Sequence, residues 1–159
     1  MRVGDAAQFA ASLPLAQALR EGAWLYPMVE TLHIIGFTVL VGAVAMFDLR
    51  VLGFGRQLPV RALARHLLPW SAGSMLLVVP TGLLLFLADP PALLANRVFL
   101  LKLGLIAAAG LNALAFHAGP YRHADAWPRR APPRATLHAL LSLGLWFAVI
   151  ACGRLLAYF

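Results

Sequence analysis

Apolar residues gather in four runs, Trp24–Phe47, Leu67–Ala88, Val98–His117 and Leu137–Ala157, and most charged residues gather between them. Each run holds 20 to 24 residues. At about 1.5 Å per residue, a helix of that length crosses a hydrocarbon core of about 30 Å. Strands would leave unpaired backbone groups in lipid, so the pattern predicts four transmembrane helices. Short links between successive spans predict an antiparallel arrangement. The expected fold is therefore all-α: one membrane domain over residues 1–159, built as an integral four-helix up-down bundle. Ahead of the first span, AAQFAASLPLAQALREG sets Phe9, Leu13 and Ala16 at helical spacing. That spacing predicts a short N-terminal interfacial helix. A loosely ordered tail is the alternative, because Pro14 interrupts a short apolar face.

Composition agrees with this pattern. The chain is 62% hydrophobic and 12% charged, more apolar surface than a water-soluble fold of 159 residues could hide. Residues 1–22 lack a continuous apolar core, so no cleavable signal peptide is expected. Cys152 is the single cysteine and lies in an apolar run, which excludes an intrachain disulfide.

The net charge of +7 would suit nucleic acid if it were spread over a surface. Instead, Arg50, Arg56, Arg61 and Arg65 lie between the first two spans, and Arg122, Arg129, Arg130 and Arg134 between the last two. This is a topology signal: positive loops stay in the cytoplasm, which places both termini on the periplasmic side of a bacterial inner membrane. The lipid bilayer, with anionic lipid as electrostatic partner, takes the place of nucleic acid. Trp24, Tyr26, Trp70, Tyr121 and Trp127 read mostly as interface anchors. Pro80 predicts a kink in the second span, with a freed carbonyl for a hydroxyl or water to satisfy.

Ionisable groups inside a span are costly and mark candidate sites. Glu30, His33, Phe37, Val41, Val44 and Asp48 fall on one stripe of the first span at spacings of three and four. In the outer half, Glu30 and Lys102 are candidates for an ion pair, with His33 a turn deeper. In the inner half, Asp48, His66, His117 and His138 come one from each span at similar height, with Asn112 nearby. Three imidazoles and a carboxylate could ligate a transition metal. Alternatively, two of the imidazoles could be axial ligands of haem b, and diagonal placement of alternate helices favours His66 with His138 over His117. His33 has no histidine at its own depth. The competing reading is that the inner histidines merely sit at the membrane boundary, in water or against headgroups.

The motifs are also familiar. ETLHIIGFTVLVGAVAMFDLRVLG, LLPWSAGSMLLVVPTGLLLFLA and NRVFLLKLGLIAAAGLNALAFH together resemble an uncharacterised family of small four-span bacterial inner-membrane proteins, a domain of unknown function. The resemblance covers about residues 24–117. It rests on Glu30, His33, Asp48, Arg50, Thr81, Gly82, Phe86, Lys102, Asn112 and His117, and implies a membrane bundle without an assigned activity. A weaker similarity runs to the copper-resistance D-type membrane domain, which implies copper uptake and is similar in outline to membrane b-type cytochromes. This sequence lacks a Met-rich or His-rich copper tract.

No nucleophile elbow, phosphate-binding glycine loop, HExxH or CxxC is present, and the chain holds no soluble catalytic domain. The expectation leans against an enzyme. Three readings stay open. The first is electron transfer through haem b, with a membrane redox partner or a homo-oligomer. The second is metal-ion transport by way of Glu30, His33 and Asp48. The third is a cofactor-free structural subunit whose polar residues lock helix register.

Overall fold

A computed structural model describes residues 3–127 and 130–158, so Arg129 lies outside the described residues. Among the described residues seven α-helices follow one another: α1 Val3–Ala11, α2 Pro14–Glu21, α3 Leu25–Leu52, α4 Val60–Ala88, α5 Pro90–Ala95, α6 Arg97–Ala118 and α7 Pro133–Leu155. A 3-10 segment, Pro120–Ala126, lies between α6 and α7. Four of these, α3, α4, α6 and α7, are long and apolar enough to span a membrane. In the most apolar window of α6 only 6% of residues are buried, against 28% in α3. Leu76, Leu114 and Phe147 are each at least two-thirds exposed. Such surface is stable only against lipid. The protein is a multi-pass membrane bundle.

The helices outrun the apolar runs. α4 begins at Val60 and α7 at Pro133, several residues before Leu67 and Leu137. Arg61, Arg65 and Arg134 continue the helices into the polar zone, where backbone bonds persist without an apolar environment. Local chemistry sets the ends. Pro133 opens α7, where its missing N–H is no loss. The Asn96 side chain caps α6 by accepting from Val98 N at 2.8 Å and Phe99 N at 3.3 Å. Gly53, at φ +107°, ends α3 in the left-handed region. α4 runs as one helix through both Pro69 and Pro80. Immediately after Pro80, the Thr81 hydroxyl donates to the Leu77 carbonyl at 2.6 Å.

The N-terminal segment is two helices rather than a loose tail. Pro14 interrupts nothing: it occupies the first turn of α2. Ala16 and Leu19 of α2 are buried, and Leu19 packs with Val29 and Ala88. Phe9, by contrast, is exposed. Arg20 reaches across, donating to Ala88 O at 3.0 Å and Ala11 O at 2.8 Å. It thereby satisfies orphan carbonyls at the ends of two helices. α1, α2 and α5 cover one end of the bundle, the terminal end, and the arginine-rich loops close the other, the arginine-rich end.

Side by side, the spans run α4, α3, α7, α6. α3 lies against α4 and α7, and α7 also against α6, while no Cα of α4 comes within 8 Å of a Cα of α6. At the terminal end α5 bridges that open side, and Phe86 stacks on Phe99 at 5.9 Å. At the arginine-rich end, Phe47, Val51, Val60, Ala64, Phe116 and Ala139 are buried together. Phe47, Phe116 and Tyr121 meet there with ring centroids 5.7–6.2 Å apart.

Candidate functional site

The polar stripe of α3 divides between two neighbours. Val29, Gly36, Leu40, Ala43, Phe47 and Val51 are buried at heptad-like spacing, and Gly36 lies against Leu77 and Val78 of α4. His33 shares that seam. Phe37 and Asp48 turn instead to α7, where Phe37 meets Trp146 at 5.8 Å.

His33 is held on α4. Its Nδ1 lies 3.0 Å from Thr81 Oγ1. The Thr81 proton is already committed to the Leu77 carbonyl, so Oγ1 accepts and the His33 proton sits on Nδ1. Gly82 makes room, since a Cβ there would stand 3.1 Å from His33 Cε1. Lys102 lies within electrostatic reach of His33. Its Nζ reaches toward α7, beside Gly153 and buried Cys152. The expected pair with Glu30 does not form. Glu30 is exposed and no ion pair joins it to Lys102, whereas Arg61 pairs with Asp125 at 2.7 Å. The reason is rotation: Glu30 faces out from α3, while Lys102 turns its Nζ to Gly153 of α7.

At the arginine-rich end, Asn112 and His138 join α6 to α7 by reciprocal bonds. Asn112 Nδ2 donates to the His138 carbonyl at 2.9 Å, and its Oδ1 lies 2.7 Å from His138 Nδ1. Because the amide nitrogen must face the carbonyl, Oδ1 is the acceptor and His138 carries its proton on Nδ1. Nε2 then bears the lone pair. One turn further along α7, Ser142 acts on the carboxyl of Asp48 across the α3–α7 seam. Asp48 is 6% exposed, and its Oδ2 is buried without a hydrogen-bond partner. Arg50 does not neutralise it. That guanidinium is spent on loop carbonyls, Leu58 O at 2.6 Å and Arg56 O at 3.3 Å.

The remaining histidines stand apart. His66 is exposed on α4, and His117 is exposed with Nδ1 donating to Ala113 O of its own helix at 2.8 Å. Among the described residues no group of three His, Cys, Asp or Glu side chains converges as a metal site. His66, His117, His138 and Asp48 share a level but not a centre, because His66 and His117 turn outward from their helices.

No protein-family model, curated protein or solved structure matches the chain. The site therefore stands on its own residues.

Asn112 pairing with His138 was within reach of the sequence. Asn112 lies six residues before the end of α6 and His138 five after the start of α7, so an antiparallel pair brings them level. Thr81 as partner of His33 carried a weaker signal, because hydroxyls in apolar helices usually bond their own backbone.

Proposed function

We propose that this protein is a cation-handling membrane bundle of the bacterial inner membrane, with Asp48 as the binding carboxylate. The observation that supports it is the buried Oδ2 of Asp48. An orphaned carboxylate oxygen inside an apolar seam is costly, and a bound proton or cation offsets that cost. Ser142 supplies a hydroxyl beside it. His138, one turn along α7, offers an Nε2 lone pair oriented by Asn112, the arrangement that suits a proton acceptor or metal ligand. His33 belongs to the same reading as a deeper station, about 15 residues and so about 22 Å along α3 from Asp48. The arginine-rich loops face the cytoplasm in this reading, and fusions of a reporter after Arg56 and Arg130 test that orientation.

The direct test is flux through the purified protein in proteoliposomes, read with an internal pH dye and by metal content. Wild type should carry protons or a divalent ion, and Asp48→Asn should abolish the signal. Equal flux in both would end the reading.

A second reading, haem b for electron transfer, draws support from the imidazoles themselves. His33, His117 and His138 all hold the proton on Nδ1 and leave Nε2 as donor atom, the form an axial ligand takes. The absorption spectrum of protein purified after haem-sufficient expression decides it. A Soret band lost in His138→Ala but kept in His123→Ala supports haem. Colourless protein without flux leaves the structural subunit.

A further inference from the structure

The arginine-rich end carries a second feature, distinct from the polar groups at Asp48. A cavity of about 340 Å³ opens between the end of α3, the turn after it and the first turn of α7. Leu52, Gly53, Arg56, Arg130 and Thr136 line it, and its lining includes no acidic side chain.

The turn holds one of its guanidiniums in place before any ligand arrives. Buried Arg50 ties the turn down from below through Leu58 O and Arg56 O. Gly53 and Gly55 both adopt positive φ, +107° and +61°, which lets the chain reverse tightly. Arg56 then folds back over Gly53: its Nε donates to Gly53 O at 3.0 Å. A Cβ on Gly53 would stand 3.2 Å from both Nε and Nη2 of Arg56, so glycine supplies space as well as conformation. With Nε occupied, the Nη groups remain to donate into the cavity. Arg130 brings a second cation from the other loop, while the Thr136 hydroxyl donates to Pro132 O at 3.4 Å.

We propose that this cavity binds a phosphate group, clamped between Arg56 and Arg130. Guanidiniums match phosphate oxygens in geometry and charge, and two of them from separate loops give the site a defined width. The cavity stands at the end of two membrane-spanning helices, where lipid headgroups lie, so the phosphate comes either from an anionic lipid or from a soluble phosphate. Binding would tie the α3–α4 turn to the start of α7.

The test uses the full chain, purified in a neutral detergent, with thermal unfolding as readout. Phosphatidylglycerol, phosphatidylcholine and inorganic phosphate are titrated separately against wild type, R56Q, R130Q, the double variant and R65Q. Arg65 is exposed on α4 and outside the cavity lining. The expected result is a rise in Tm with phosphatidylglycerol and not with phosphatidylcholine. The apparent affinity should fall about five-fold for each single change and at least about ten-fold for the double, with R65Q as wild type. If inorganic phosphate reproduces the rise and the double variant loses it, the site stands and its ligand is soluble. A rise that survives the double variant, that R65Q weakens as much, or that no anion produces overturns the proposal.

Discussion

Two helix pairs carry this bundle, and each is fastened by one histidine, yet the two fastenings differ in kind. Between α3 and α4, His33 makes one side-chain bond, to Thr81, and is pressed against Gly82. The surrounding seam is narrow because Gly36 admits Leu77 and Val78. Between α6 and α7, Asn112 and His138 exchange two bonds, and the ring's free nitrogen lies one turn from the seam that holds Asp48. The first fastening depends on close packing with one polar contact. The second depends on polar reciprocity. A histidine in a membrane span is thus no uniform signal: its role follows from what fills the space around the ring.

The largest effect should come from filling the close seam. A Cβ at Gly36 would already stand 3.0 Å from Val78 Cγ2, whereas one at Gly104 on α6 meets nothing within 4 Å. Gly36→Leu should therefore destabilise by about 1–3 kcal/mol or more, and Gly104→Leu by less than about 0.5 kcal/mol. Thermal unfolding in detergent compares them, and equal losses would erase the contrast between the pairs. Next comes the reciprocal pair. Asn112→Leu should lose both bonds and His138→Phe only the ring bond, because the His138 carbonyl belongs to the backbone, so a double-mutant cycle should return a ring–amide coupling of about 0.6–1.7 kcal/mol. Additive losses would mean that the two side chains act separately.

A smaller effect is expected at the single bond. Thr81→Val keeps the shape and removes the acceptor for His33 together with the hydroxyl's bond to Leu77 O, which should cost about 0.6 kcal/mol by chemical or thermal unfolding. A loss as large as that of Asn112→Leu would show that the first fastening is also chiefly polar. The smallest change in stability belongs to Asp48→Asn. The carboxylate has an unpartnered oxygen, so neutralising it should leave Tm unchanged or raise it, even as it removes cation flux. A marked fall in Tm would make Asp48 a structural group and move it out of the candidate site.

Much of this architecture was legible along the chain because lipid imposes length. A run of 20 apolar residues has few options in a bilayer other than one spanning helix, and the short links leave the antiparallel order of four such helices little freedom. Lateral placement is another matter. Every span is apolar on all sides, so periodicity gives weak notice of which face meets which neighbour. Glu30 to Asp48 share one stripe by spacing, yet the fold turns that stripe against two helices with Glu30 left outside.

The candidate site shows the same division. Counting residues from the helix ends brings Asn112 level with His138, and sets Asp48, His66 and His117 at the same height. Height is fixed by the rise per residue, which composition alone reveals. Direction is fixed by rotation about each helix axis and by which helices touch. Glu30 faces outward from α3 and Lys102 turns toward α7, so the two stay apart. The rotation of α4 and α6 leaves His66 and His117 exposed, while α6 and α7 turn Asn112 and His138 toward each other. Depth in the membrane is a property of the chain. Contact across the membrane is a property of packing, where small residues such as Gly36 and Gly82 decide which surfaces close.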